Sequence, residues 1–274
     1  MEQSLNYSEQ VITPEIAREY LQTNKVNRTL RLWKVREYAL QMKAGKWKMS
    51  GECICFLKGG ALGNGQHRLW AVIESNTPTK FGILRNCDPD SFTTYDSGLG
   101  RSLADALHIQ DINNSSTIGS IISRYFALCN NIYGDGRRGG VASRLGLTRD
   151  DYIAEHNSSP KLYQDACMLA KRLNKRLSIL KPADIGGIYI YLVKYCNHKI
   201  DMVAGFFNDL HSPTPRHSST AILREKLIAD KISRTKMLGE YKYNLIAKSW
   251  NSWTTQKPIK QLKWSESEGQ IKFI

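Results

Sequence analysis

Leu62-Gly63-Asn64-Gly65-Gln66-His67-Arg68-Leu69-Trp70-Ala71 reads as a glycine loop feeding a helix. A strand-like run, Cys53 to Leu57, and a Gly59-Gly60 turn come before it. The apolar run Leu69 to Ile73 after it supplies the first helical turns. The first N–H groups of a helix have no intrahelical partner, and the helix dipole adds partial positive charge, so such a junction receives an anion well. Gly63 and Gly65 allow close backbone approach, and His67 and Arg68 add donors, Arg68 with a fork that suits a phosphate. Gly-x-Gly-x-x-Arg is short, however, and fits an ordinary strand-to-helix turn with a solvated His and Arg equally well.

Around that loop, the 274 residues are 41% hydrophobic, enough for an ordinary core in one large or two modest domains. Lys and Arg number 39 against 25 Asp and Glu, and a formal net charge of +14 is a surface drawn to polyanions, with nucleic acid the commonest inside a cell. The six cysteines have no paired metal spacing and read as buried thiols of a reducing compartment, with Cys53 and Cys55 on one strand face. The polar N-terminus reads as no signal peptide, and no apolar run approaches membrane-spanning length, so the expectation is a cytoplasmic protein with no membrane partner.

Before the loop, Thr13-Pro14-Glu15 predicts a helix start, with the helix running to about Gln22. Asn27-Arg28 opens a second, basic helix with Val35, Tyr38, Ala39 and Met42 at helical spacing and Gly45 as its stop. After the loop, Lys80 to Arg85 reads as a strand, and Asp96-Ser97-Gly98-Leu99-Gly100-Arg101 as a second glycine-bearing loop before a helix from Leu103. From Asn113 the chain is helical: Ile118 to Tyr133, Pro160 to about Leu177, Pro182 to Cys196, Ile200 to Leu210, Thr220 to Ile232 and Leu238 to Thr254. Arg137-Arg138 stand in a glycine-rich loop. Lys171, Arg172, Lys175 and Arg176 crowd one helix end, where basic residues suit the dipole but four exceed what capping requires. The loop His211 to Ser218 holds two histidines and no carboxylate, and reads as a plain connection.

Several of these landmarks in one order resemble the ParB/sulfiredoxin superfamily, above all ParB-like proteins of bacteriophages and prophages. They are Asn27-Arg28, Met42 to Trp47, Asn64 to Ala71 with its Gly-Gln-His-Arg core, and Asp96 to Arg101; Ala247 to Asn251 and Leu262-Lys263-Trp264 extend the resemblance to the end of the chain. It implies an α+β chain, with a small ParB/sulfiredoxin-like α/β domain over residues 1–112 followed by an all-helical domain over 113–274. It also implies nucleotide phosphates held by Gly63, Asn64, Gly65, Gln66, His67 and Arg68, with Arg28 and Arg101 adding charge. If chemistry occurs, His67, Arg68 and Asp96 are its candidates, and Mg2+ would bridge the phosphates of a nucleotide such as ATP or CTP. DNA is the expected partner, through Arg137, Arg138, Lys171, Arg172, Lys175 and Arg176. Asn64 stands where the family usually has Asp, and an amide is neither a base nor a charged metal ligand, which puts any mechanism needing that carboxylate in doubt. Two alternatives stay open: a non-catalytic module binding nucleic acid or a host protein, and a metal-dependent nuclease drawing on Glu52, Glu74 and Asp96.

Overall fold

The computed structural model describes residues 4–25, 27, 29–89, 102–133 and 140–274. The protein is mixed α and β, with a small four-stranded sheet and an extensive set of helices. It divides into two compact units, Met1–Arg101 with Arg138–Thr148, and Ser102–Arg137 with Arg149–Ile274.

The sheet of the first unit has the order β1-β4-β2-β3, with β1 at Asn6–Ile12, β2 at Ile54–Leu57, β3 at Leu62–Asn64 and β4 at Thr79–Cys87. β1 runs antiparallel to β4, β4 parallel to β2, and β2 antiparallel to β3. A central position explains why all four residues of β2 are buried, and why they read as a continuous apolar run. β1 was expected to be a polar lead. It is an edge strand whose residues up to Val11 are exposed apart from the half-buried Gln10, so it has no apolar alternation to be read.

Three helices pack on this sheet: α1 (Pro14–Gln22), α2 (Leu32–Lys43) and α3 (Gln66–Ser75). The Thr13 hydroxyl caps α1 by accepting from the Ile16 N–H at 3.4 Å, and Pro14 occupies its first turn. α2 opens at Leu32 with Arg31 at its cap, four residues after the expected Asn27-Arg28 start. Ile12, Ala17, Val35, Ala39, Met42, Ile54, Phe56, Leu62, Leu69, Val72 and Phe81 form the core between helices and sheet. Cys55, Leu57 and Cys87 make a second, smaller cluster. In sequence, α4 (Leu103–Ile109) and α5 (Ser115–Cys129), which belong to the second unit, come before α6 (Gly140–Leu145) of the first, which packs on α2, where the Ser143 hydroxyl meets the Glu37 carboxylate.

In the second unit α4 starts with a capping box in which Ser102 and Asp105 satisfy each other's backbone N–H groups. α7 (Arg149–Ser158), α8 (Pro160–Arg176), α9 (Pro182–Ile190), α10 (Ile200–Leu210), α11 (Ser218–Ile232) and α12 (Gly239–Thr254) follow. The helix expected from Pro182 to Cys196 continues beyond Ile190 as a π-helical turn, Tyr191–Tyr195. Gly186 and Gly187 let α9 lie directly against Ile121 and Arg124 of α5. Trp250 of α12 is fully buried, packed edge-on against Phe206 of α10 with ring centroids 5.3 Å apart, and its indole N–H donates to the Ile274 carbonyl at 2.8 Å.

All six cysteines are free thiols. Cys55 is buried and Cys53 half-buried, and burial, reinforced by neighbouring Cys87, pushes the Cys55 thiol up to about 12. Among the described residues, no helix is long and apolar enough to cross a membrane.

Candidate functional site

The glycine loop is where the sequence places it, between β3 and α3. Gly65 is the residue before α3 and has φ 112°, ψ 0°, a conformation that a side chain would strain. A Cβ built there would lie 3.0 Å from Ile54 Cγ1, so the residue also lets the loop close down on β2. The backbone N–H groups of Arg68 and Leu69 both donate to the Gly65 carbonyl. α3 therefore begins at Gln66, three residues earlier than its apolar run suggests, and Gln66, His67 and Arg68 all lie inside its first turn.

Those three side chains are turned inward. Gln66, His67 and Arg68 are 5%, 8% and 6% exposed. The Gln66 carbonyl oxygen accepts from the Asn24 amide at 3.2 Å. His67 Nε2 accepts from the backbone N–H of Arg31 at 3.0 Å, so the neutral ring carries its proton on Nδ1. The Arg68 guanidinium donates through Nη1 to the Glu52 carbonyl and through Nη2 to the Cys53 carbonyl at 3.1 Å. The fork expected to hold a phosphate instead straps α3 to the chain entering β2. The planar guanidinium suits two successive carbonyls there for the same reason it suits two phosphate oxygens.

Asn24 and Asn27 complete this network; the sequence reading singles out Asn27, as a helix start and a landmark of the resemblance, but not Asn24. Asn27 was expected to open a helix. Its amide donates to the Leu62 carbonyl and to Asn24 Oδ1, both at 2.7 Å, joining the α1–α2 connection to β3. The Leu62 N–H donates to the Thr23 carbonyl at 3.1 Å. For Asn24 the available signal is its place three residues before Asn27 in a polar stretch, where Asn commonly bonds the backbone. Gly63 and Asn64 lie in β3, and Asn64 pairs with Cys55. Arg28, Asp96, Arg101, Arg137 and Arg138 lie outside the described residues. Of the carboxylates considered for a metal, Glu52 precedes β2 and Glu74 lies in the last turn of α3, and both are exposed. Among the described residues, no three or more His, Cys, Asp or Glu side chains gather into a metal-holding group.

The second unit carries the other candidate. Lys171, Arg172, Lys175 and Arg176 are all exposed in the last two turns of α8, where i, i+4 spacing sets 171 beside 175 and 172 beside 176. Lys171 reaches Asn114 Oδ1 and Arg172 approaches Asn208 Oδ1 at 3.5 Å, both neutral partners. Among the described residues none of the four is ion-paired. Behind them is His211, 1% exposed. Desolvation, with the charges of Arg176 and Arg224, holds its pKa below the usual histidine range against the opposing pull of its hydrogen bond to Phe207.

No protein-family description matches this sequence, and comparison with curated proteins and with solved structures returns no match.

Proposed function

We propose that this protein is a non-catalytic nucleic-acid-binding protein that grips the phosphate backbone through the end of α8. The observation that carries the reading is the exposed quartet Lys171, Arg172, Lys175 and Arg176, unpaired with any described carboxylate on a chain of net charge +14. Four cations within about 7.5 Å of helix axis would repel one another in isolation, and a polyanion relieves that repulsion while releasing its own counterions. The inward-turned Gln66, His67 and Arg68, together with Asn64 in place of an acid, weigh against phosphoryl-transfer chemistry at the glycine loop. This is the non-catalytic alternative among the roles that the ParB-like resemblance implies.

A second reading, nucleotide phosphates such as those of ATP or CTP with Mg2+ held at the start of α3, is favoured by one feature. Gly65 leaves that helix start without a side-chain cap. Calorimetric titration with ATP, CTP, GTP and ADP, with and without Mg2+, tests it, and no heat with any of the four removes it.

The primary reading is tested by salt-dependent DNA binding of the wild type and of a variant with all four residues changed to Gln. Each phosphate contact contributes about 0.9 to the slope of log K against log salt for duplex DNA, so the variant's slope falls by up to about 3.6. An unchanged slope and affinity in the folded variant would refute the assignment.

A further inference from the structure

The loop between α10 and α11, which in sequence is only a polar connection, forms one wall of a cavity of about 490 Å3 in the second unit. That volume lies within the roughly 300–1,000 Å3 of small-molecule sites. Gly205 and Asn208 line it from α10, Asp209, Arg216 and His217 from the loop and its anchor, and Trp253 from α12. We infer that this cavity is a nucleotide site, which takes one base of a single strand against Trp253 and its phosphate at Arg216 and Arg172. The inference rests on the nucleic-acid reading above and adds to it a preference for unpaired strands.

The cavity is built rather than incidental. Asp209 holds the loop: its carboxylate accepts from the Arg216 N–H at 2.7 Å, the His217 N–H at 3.3 Å and the Thr220 hydroxyl at 2.6 Å. Three donors on one carboxylate offset much of its repulsion of an anion and fix the backbone from which Arg216 projects into solvent. Trp253 is held from behind by Trp250, 6.0 Å away at 25°, and by Phe206, 5.8 Å away at 75°. A half-buried indole fixed in this way is a stacking surface that loses little entropy when a base covers it. Gly205 lines the cavity beside Trp253, where a Cβ would come to 3.4 Å from the edge of the ring, so a large side chain at 205 would occupy the space next to it.

Two polar features define what the occupant must offer. His217 Nδ1 lies 2.9 Å from the Ser219 hydroxyl oxygen and 3.2 Å from the Ser219 backbone nitrogen, so the hydrogen bonding of the ring is all on its Ser219 side. Its Nε2 is buried and has no hydrogen-bond partner. An unpartnered ring nitrogen on a cavity-lining residue favours an occupant with a polar edge, and every nucleobase carries hydrogen-bonding groups on its edge. On the rim, the approach of Arg172 to Asn208 at 3.5 Å makes the α8 quartet continuous with the cavity mouth. A flat ring, a polar edge and an adjacent anion together describe a nucleotide, either free or within a strand.

The test is fluorescence anisotropy with a labelled single-stranded oligonucleotide and a duplex of equal length, on wild type, Gly205→Leu, Arg216→Gln and the α8 quartet variant. Gly205→Leu fills the cavity without removing any group, and Arg216→Gln keeps the backbone N–H that Asp209 holds. Loss of stacking on one aromatic lowers single-strand affinity by about five- to a hundredfold. Gly205→Leu is expected to show that loss and Arg216→Gln the smaller loss of one phosphate contact, each with duplex affinity held within about twofold, while the quartet variant loses both. Single-strand affinity equal to wild type in either folded cavity variant overturns the inference, whatever the duplex result. If the wild type binds neither strand form, the α8 reading fails by itself, and AMP and dTMP are then titrated. Binding lost in Gly205→Leu would retain the cavity as a free-nucleotide site, and no binding would overturn it.

Discussion

Arg68→Ala separates a strap from a phosphate ligand. In the wild type the Arg68 guanidinium, 6% exposed, donates to the Glu52 and Cys53 carbonyls and so ties the first turn of α3 to the entry of β2. A hydrogen bond to a charged group contributes about 1.5–3 kcal/mol net, and two together would set an upper range of about 3–6 kcal/mol. Glu52 is exposed and Cys53 half-buried, so water can reach both carbonyls after truncation, which brings the expected loss to about 2–4 kcal/mol. For a unit of about a hundred residues melting independently, that lowers Tm by roughly 8–20 °C. Arg68→Lys keeps the charge but reaches one carbonyl rather than two, and is expected to recover about half of the loss. The measurement is thermal unfolding by near-ultraviolet circular dichroism, paired with nucleotide titration at a temperature where every variant is folded. A melting temperature within about 2 °C of wild type, accompanied by loss of anion binding, would refute the strap and return Arg68 to the phosphate role.

Four other substitutions follow from close contacts and burial. Gly65→Ala places a Cβ 3.0 Å from Ile54 Cγ1 and 3.3 Å from Ile54 Cα at φ 112°, and is expected to cost about 2–3 kcal/mol by chemical denaturation; a cost under about 0.5 kcal/mol would show that the loop relaxes freely. Gly187→Ala brings a Cβ to 2.4 Å from Arg124 Cγ, near the root of that side chain, so a net loss of about 1–3 kcal/mol is expected, whereas Gly205→Ala meets only ordinary contact at 3.4 Å and should be neutral or gain up to about 1 kcal/mol of helix propensity. His211 is buried with a pKa held below its ordinary 6.5, so its neutral form favours the folded state; that contribution is full above about pH 6.5 and is lost as pH falls from there through the folded pKa. Stability measured from pH 7.5 to 5 should decline less in His211→Gln than in the wild type, and parallel curves would refute the assignment.

Much of the architecture is legible in the sequence because short-range signals carry it. Pro14 after Thr13, Pro160, Pro182 and the apolar spacing of Ile118 to Leu128 mark helices, and the run ending at Leu57 marks a buried central strand. β1 and β3 escape the same reading for physical reasons. β1 exposes both faces over most of its length, and β3 has three residues, too few for any period to show. Asn27 marks a third limit, since its role is set by the Leu62 carbonyl, 35 residues away in sequence.

The functional side chains divide along the same line. A charge cluster can be read from sequence because Lys171, Arg172, Lys175 and Arg176 share one helix, and helical spacing alone places them together. Arg68 cannot be read so directly. A guanidinium fork fits two carbonyls as well as two phosphate oxygens, and the choice depends on whether strand pairing leaves the Glu52 and Cys53 carbonyls within reach. The loop His211 to Ser218 reads as a plain connection because it contains no carboxylate, yet Asp209 lies just before it on α10, and the aromatic wall, Trp253, is 36 residues beyond His217. A motif search within a stretch therefore fails where a helix end supplies the anchor and a distant helix supplies the surface. Loops flanked by helices whose last turn bears an acid are the places where sequence reasoning about this fold should widen its window by one turn on either side.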